Sequence, residues 1–147
     1  MRTYQIFLVK EEVAKQYFGR ELLIFKLFKE YKQTKSVDML TLLKKQINFI
    51  TEPISVFNLE YIIHKQLRHD ARYEKLPQAF VVADRQEESF AKLHLATSYI
   101  TLEAYGTYEA ETLFFEVLRQ NCPYFLAIDF ENSQYGWLAP IRNRKYV

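Results

Sequence analysis

The period of the apolar positions changes along the chain, and each change predicts an element. Residues 3–9, Thr-Tyr-Gln-Ile-Phe-Leu-Val, are short, β-branched and aromatic, and charge follows at once, so they predict a buried strand. Residues 10–31 predict a helix, but its apolar side chains lie on more than one face. Val13, Tyr17, Ile24, Phe28 and Tyr31 fall on one side, and Ala14, Phe18, Leu22 and Phe25 on the next. A helix that covers only its own core needs a single stripe, about 100° wide or a little more. The second stripe needs a cover, from elsewhere in the chain or from another protein. Gly19 in the middle costs about 1 kcal/mol relative to alanine and marks a break, a bend or a close approach.

A polar connector at 32–36 precedes two amphipathic helices. Leu40, Leu43, Ile47 and Ile50 recur at spacings of three and four in 38–50, and Leu59, Ile62, Ile63 and Leu67 do so in 55–68. Pro53 separates them, because the residue before a proline is driven out of helical geometry. The second half changes character. Residues 79–83 are a compact β-prone run, and 90–96 and 99–105 follow with partial period-two alternation around a Thr97-Ser98 turn. Phe80, Phe90, Tyr99, Tyr105 and Phe125 stand among small and aliphatic neighbours in the β-prone runs, as core residues would. Gly106 closes the third of these runs. Thr107 is the expected N-cap of a helix over 108–120, with Glu109 and Glu111 complementing its dipole. Pro123 stops that helix, 124–130 is an apolar final strand, and Asn132-Ser133 opens a turn before Tyr135-Gly-Trp-Leu138.

The fold class expected is therefore α/β (α+β): a single compact domain over 1–147, with a mixed sheet of about five strands packed with about four helices. The order is β-α-α-α-β-β-β-α-β. A chain of 147 residues is long enough to bury one sizeable core.

Composition narrows the chemistry. Three glycines and four prolines are less than half the usual share, and the glycines stand alone at 19, 106 and 136, so no Gly-rich phosphate loop can be assembled locally. A net charge of +2 offers no dedicated nucleic-acid arm. Basic residues do gather in 64–75 and 142–145, the first interrupted by acidic and neutral side chains and best read as a solvated face. The single cysteine, Cys122, excludes an intrachain disulfide and a Cys-based zinc knuckle. The apolar run near the N-terminus is too short for a signal peptide or a membrane span, and a cytoplasmic location is expected.

No catalytic constellation stands out. His64, His69 and His94 lie too far apart for a local metal motif, and no metal or cofactor is expected. Cys122 follows a helix end, the wrong dipole end for a reactive thiol. Asp129 and Glu131 lie two apart on one side of the last strand, where a capping or salt-bridge role is the simpler reading. The competing reading is a small cytoplasmic enzyme with a non-local site near Asp129, Glu131 and His94, recognisable if a pocket brings the three within hydrogen-bond reach.

Tyr17-Phe18-Gly19-Arg20 supplies two rings, a small residue and a guanidinium within one turn, the side-chain types enriched in protein interfaces. The same stretch opens a resemblance. Lys10-Glu11-Glu12 with Tyr17-Phe18-Gly19-Arg20-Glu21, then Gln46-Ile47, Ile50-Thr51 and Pro53-Ile54, form its first half. Tyr108-Glu-Ala-Glu-Thr-Leu-Phe-Phe-Glu-Val-Leu118, Phe125-Leu-Ala-Ile-Asp-Phe130 and Tyr135-Gly-Trp-Leu138 form its second. In order and spacing these resemble SirA, the sporulation inhibitor of replication protein family of endospore-forming bacteria. The resemblance implies a non-catalytic protein that binds the N-terminal domain of the replication initiator DnaA and blocks new rounds of initiation. It implies no direct contact with nucleic acid or membrane, and a monomer when alone. Its implied contact surface is Val13, Tyr17, Phe18 and Arg20 on the first helix, with Gln46 on the neighbouring helix. Where the family pattern has an aromatic one turn before Tyr17, this chain has Val13. On this reading Gly19 divides a partner-facing half, 13–20, from a core-facing half that includes Leu22–Phe28.

Overall fold

The structure is a computed structural model and is described for residues 1–139. In chain order the elements are β1 (Arg2–Leu8), α1 (Glu11–Gln16), α2 (Glu21–Gln33), α3 (Val37–Ile50), α4 (Val56–Leu67), β2 (Tyr73–Leu76), β3 (Ala79–Asp84), β4 (Ser89–His94), β5 (Ile100–Gly106), α5 (Glu109–Asn121), β6 (Phe125–Asp129) and β7 (Gln134–Trp137). The α/β class and the five expected strands are present. The sheet differs from expectation in two ways: it has seven strands, in the order β2-β3-β4-β5-β1-β6-β7, and every pair is antiparallel rather than mixed. The two additional strands are the edges. Both are four residues long with mostly solvent-facing side chains, so neither carries the apolar alternation that betrays an inner strand.

β1 and β6 split their side chains between two cores, while β3, β4 and β5 contribute to the larger one alone. Ile6 of β1 and Phe125 and Ala127 of β6 face the same side as Phe80, Val82, Ala91, Leu93, Ile100 and Leu102, where α4 and α5 cover them with Leu59, Ile63, Phe114 and Leu118. Phe7, Leu126 and Ile128 face the other side, under Val13, Ala14, Ile24, Phe25 and Phe28 of α1 and α2. This second cover reaches only one end of the sheet. Phe90, Tyr99 and Tyr105, expected in the core, instead stand on or beside the bare part of that face. Phe90 is half-buried, stacked on Tyr105 with ring centroids 5.1 Å apart, while Tyr99 and Tyr105 are exposed. Alternation gives a strand two faces, and here the helices run out before the second face is covered.

The chain crosses between the layers at one end of the sheet. A bridge pairs Val9 with Thr51, Glu52 donates to the Leu8 carbonyl at 2.8 Å, and Ile54 donates to the Thr97 carbonyl at 2.8 Å. These bonds carry the segment between α3 and α4 around the sheet end. On the far side, Arg2 is ion-paired with Glu111, which is 1% exposed in the first turn of α5. The Arg2 guanidinium also lies 4.3 Å from the centre of the Tyr108 ring. Burial, then hydrogen bonding to Glu111, holds the Tyr4 phenol above its usual range.

Two local expectations are corrected. Thr107 does not cap α5: its hydroxyl turns back to donate to the Glu87 carbonyl at 3.0 Å, and Tyr108 holds the N-cap position without a side-chain bond. The first helix is two helices, because Gly19 adopts φ +82° and breaks the helical path between α1 and α2. The basic residues at 142–145 lie outside the described residues.

Candidate interaction surface

The corner between α1 and α2 is built by short-range hydrogen bonds. Tyr17 ends α1, with its N–H donating to the Val13 carbonyl at 2.9 Å, and Arg20 donates from its backbone to the Tyr17 carbonyl at 2.7 Å. The positive φ of Gly19 lets the chain turn there, and the Glu21 carboxylate accepts the Gly19 N–H at 3.1 Å. The indole N–H of Trp137 donates to the same carboxylate oxygen at 3.4 Å, which ties the corner to β7. At the other end of α1, the Tyr124 hydroxyl donates to Glu11 at 3.0 Å.

Arg20 has two roles in this corner. Its guanidinium donates to the Gln16 carbonyl at 3.0 Å, satisfying one orphan carbonyl at the end of α1, where a cation also suits the helix dipole. The same guanidinium sits 5.1 Å from the centre of the Tyr17 ring. Tyr17 is half-buried, one side against the second core and the other under Arg20. Phe18 points out and is 43% exposed.

Two expectations about this region change. Val13 is 6% exposed and belongs to the second core, in one cluster with Ala14, Phe7 and Leu126. It supports Tyr17 from below and offers almost no area of its own. Nor is the half beyond Gly19 wholly core-facing. Beyond it Ile24, Phe25 and Phe28 are buried, but Leu22 and Leu23 are 46% and 50% exposed.

Gln46 is exposed on α3, in the same helical layer. Spacings of four and three put Leu42 and Phe49 on its stripe, and both are exposed, Phe49 to 73%. The Lys10 ammonium lies 5.0 Å from the Phe49 ring centre and the Lys10 backbone N–H donates to the Ile50 carbonyl at 2.9 Å, joining the start of α1 to the end of α3. The structure thus brings Tyr17, Phe18 and Arg20 together at one corner, with Gln46 on a neighbouring helix. It adds Leu22 and Leu23, expected to face the core, and Leu42 and Phe49, which the sequence pattern did not single out. The signal for the last two was present, because 42 and 49 fall outside the core-facing stripe of 40, 43, 47 and 50.

The residues of the competing catalytic reading do not converge. His94 is on β4 and Asp129 on β6, with β5 and β1 between them, a separation of about 14 Å at ordinary strand spacing. Asp129 closes the β6–β7 turn, accepting the Asn132 N–H at 3.2 Å and its side-chain amide at 2.8 Å. Glu131 is exposed in that turn, and His94 lies 3.8 Å from Glu103 on the bare sheet face. Cys122 is half-buried at the end of α5, and burial pushes its thiol up, away from the reactive thiolate form. Among the described residues no group of three or more His, Cys, Asp or Glu could hold a metal ion, and no helix is long and apolar enough to cross a membrane.

A family model described as "Sporulation inhibitor of replication protein SirA" matches residues 2–142. The chain belongs to this family. It is 38% identical over 147 residues to the sporulation inhibitor of replication protein SirA of Bacillus subtilis (strain 168), and the match covers 99% of each chain. Membership of the family therefore extends over both layers and both cores, including the α1–α2 corner and α3.

Proposed function

We propose that this chain inhibits the initiation of chromosome replication during sporulation, by docking on the N-terminal domain of the initiator DnaA, and that it acts as a stoichiometric protein without turnover. The relative's name, a sporulation inhibitor of replication, supports the coarser half of this reading. The observation that carries the finer half is the α1–α2 corner: an aromatic pair, an arginine already oriented over one ring, and exposed leucines beside it. Anchors of this kind, rigid before binding, dominate interface energetics. Tyr17, Phe18 and Arg20 are the proposed contacts, with Gln46 from α3, while Val13 acts from beneath.

The test is calorimetric titration of the full chain with the isolated N-terminal domain of DnaA. A saturable one-to-one complex is expected. Absence of binding, or a complex unaffected by substitution of both Phe18 and Gln46, would remove this reading.

A further inference from the structure

α3 rests against α2 rather than on the sheet, and a cleft of about 590 Å³ remains beneath it. Its floor is β1, through Gln5 and Phe7, and its walls are α2, α3, the 51–53 segment and the Thr97–Tyr99 turn. The volume lies within the range of about 300–1,000 Å³ that small-molecule sites occupy. The cleft lies on the opposite side of α3 from Gln46 and is independent of the proposed partner surface.

We propose that this cleft binds a small planar aromatic molecule carrying an anionic group. The aromatic preference follows from the walls. Phe7 is stacked on Phe28 at 4.0 Å and tilted against Tyr99 at 5.5 Å; Phe7 and Phe28 are themselves buried, so the floor is packed ring and the ring offered to the space is the exposed Tyr99. Phe130 adds a fourth ring to the lining. The anionic preference follows from charge. Lys32 and Lys44 both line the cleft, and among the described residues neither has a carboxylate within ion-pair distance. Lys32 is exposed at the cleft and lies over the Phe130 ring, its ammonium 4.4 Å from the ring centre. Among the described residues of the lining Glu52 is the only acid, so against Lys32 and Lys44 they carry a net positive charge. An anion beside aromatic faces is better held by two unpaired ammoniums than a cation or a neutral apolar molecule would be.

The probe is anilinonaphthalene sulfonate, a planar aromatic anion, titrated into the full chain and followed by fluorescence and two-dimensional amide NMR. One saturable site is expected, with shifted amide signals at Phe7, Ile47 and Tyr99. The uncharged N-phenylnaphthylamine should bind at least tenfold more weakly. Lys44→Glu and Lys32→Glu should each lower affinity for the anionic dye at least tenfold, and both side chains are at the surface, so circular dichroism should not change. Lys44→Gln, which removes charge without reversing it, should fall between. Non-saturable binding, shifts mapped elsewhere, equal affinity for the neutral dye, or wild-type affinity in both Glu variants would each overturn the proposal.

Discussion

The hydroxyl of Ser89 accepts the backbone N–H of Ala110 at 2.9 Å, so a residue at the start of β4 caps a helix 21 positions further along the chain. The same hydroxyl donates to the Thr107 carbonyl at 2.6 Å, and Ser89 is buried. Ser89→Ala therefore removes a cap and leaves a buried donor and acceptor unsatisfied together. A loss of about 1–2 kcal/mol is expected in urea unfolding, with an unchanged denaturant slope. A loss below about 0.5 kcal/mol would mean that water replaces the hydroxyl.

Tyr17 and Phe18 should separate stability from binding. Phe18 is exposed, and Phe18→Ala should change unfolding by less than about 0.5 kcal/mol. Tyr17 is half-buried, so Tyr17→Ala should cost about 1 kcal/mol of stability while leaving far-UV circular dichroism intact. Either substitution should weaken binding to the DnaA N-terminal domain at least tenfold, about 1.4 kcal/mol. Full unfolding of Tyr17→Ala would make the residue a core member and displace the proposed surface.

Arg20→Lys should behave more like Arg20→Ala than like the wild type in that binding assay. The planar guanidinium both covers the Tyr17 ring and donates to Gln16, and an ammonium cannot keep the two geometries at once. Affinity restored by lysine would reduce the role of Arg20 to charge alone.

Two glycines with similar backbone angles should respond differently to alanine. Gly19 has φ +82° with no atom within 4 Å of an added Cβ, so Gly19→Ala should cost about 1–2 kcal/mol for backbone strain alone. Gly106 has φ +77°, and a Cβ there would collide with the Glu88 carbonyl. Gly106→Ala should cost about 3 kcal/mol or more, because the β4–β5 pairing must also move. Thermal unfolding of the two variants side by side checks the order.

Acid should weaken the junction before β2. Asp70 accepts from the Arg72 guanidinium at 2.7 and 2.9 Å, and this holds its carboxyl down at about 2, with desolvation opposing. A depressed folded-state pKa stabilises above the unfolded value, and that stability is lost as pH falls from about 4 through about 2. Screened by the surrounding water, the contribution is about 1 kcal/mol or less. Asp70→Asn should remove it at neutral pH and flatten the stability profile across that acid window.

What the sequence discloses depends on how local the cause is. The helices α3 and α4 are legible because the apolar positions 40, 43, 47 and 50, and 59, 63 and 67, repeat at the helical period. Gly19 announced a break, but only the folded chain shows that the break buries Val13 and exposes Leu22 and Leu23. The edge strand Tyr73–Leu76 carries Glu74 and Lys75 at its centre and has no pattern to read. Ser89 was invisible as a cap because its partner is brought near only by the β4–β5 hairpin. The corner residues of the candidate surface could be named from their type, yet Leu42 and Phe49 emerge only once the inner stripe of α3 is assigned.

The two cores share strands but not side chains: Ile6 serves one and Phe7 the other. The core under α4 and α5 spans most of the sheet, whereas α1, α2 and α3 close only one end of its reverse. A substitution confined to α1, α2 or α3 therefore removes no side chain from the larger core, so the helices that form the candidate surface can change without deleting a contact from the layer that spans most of the sheet.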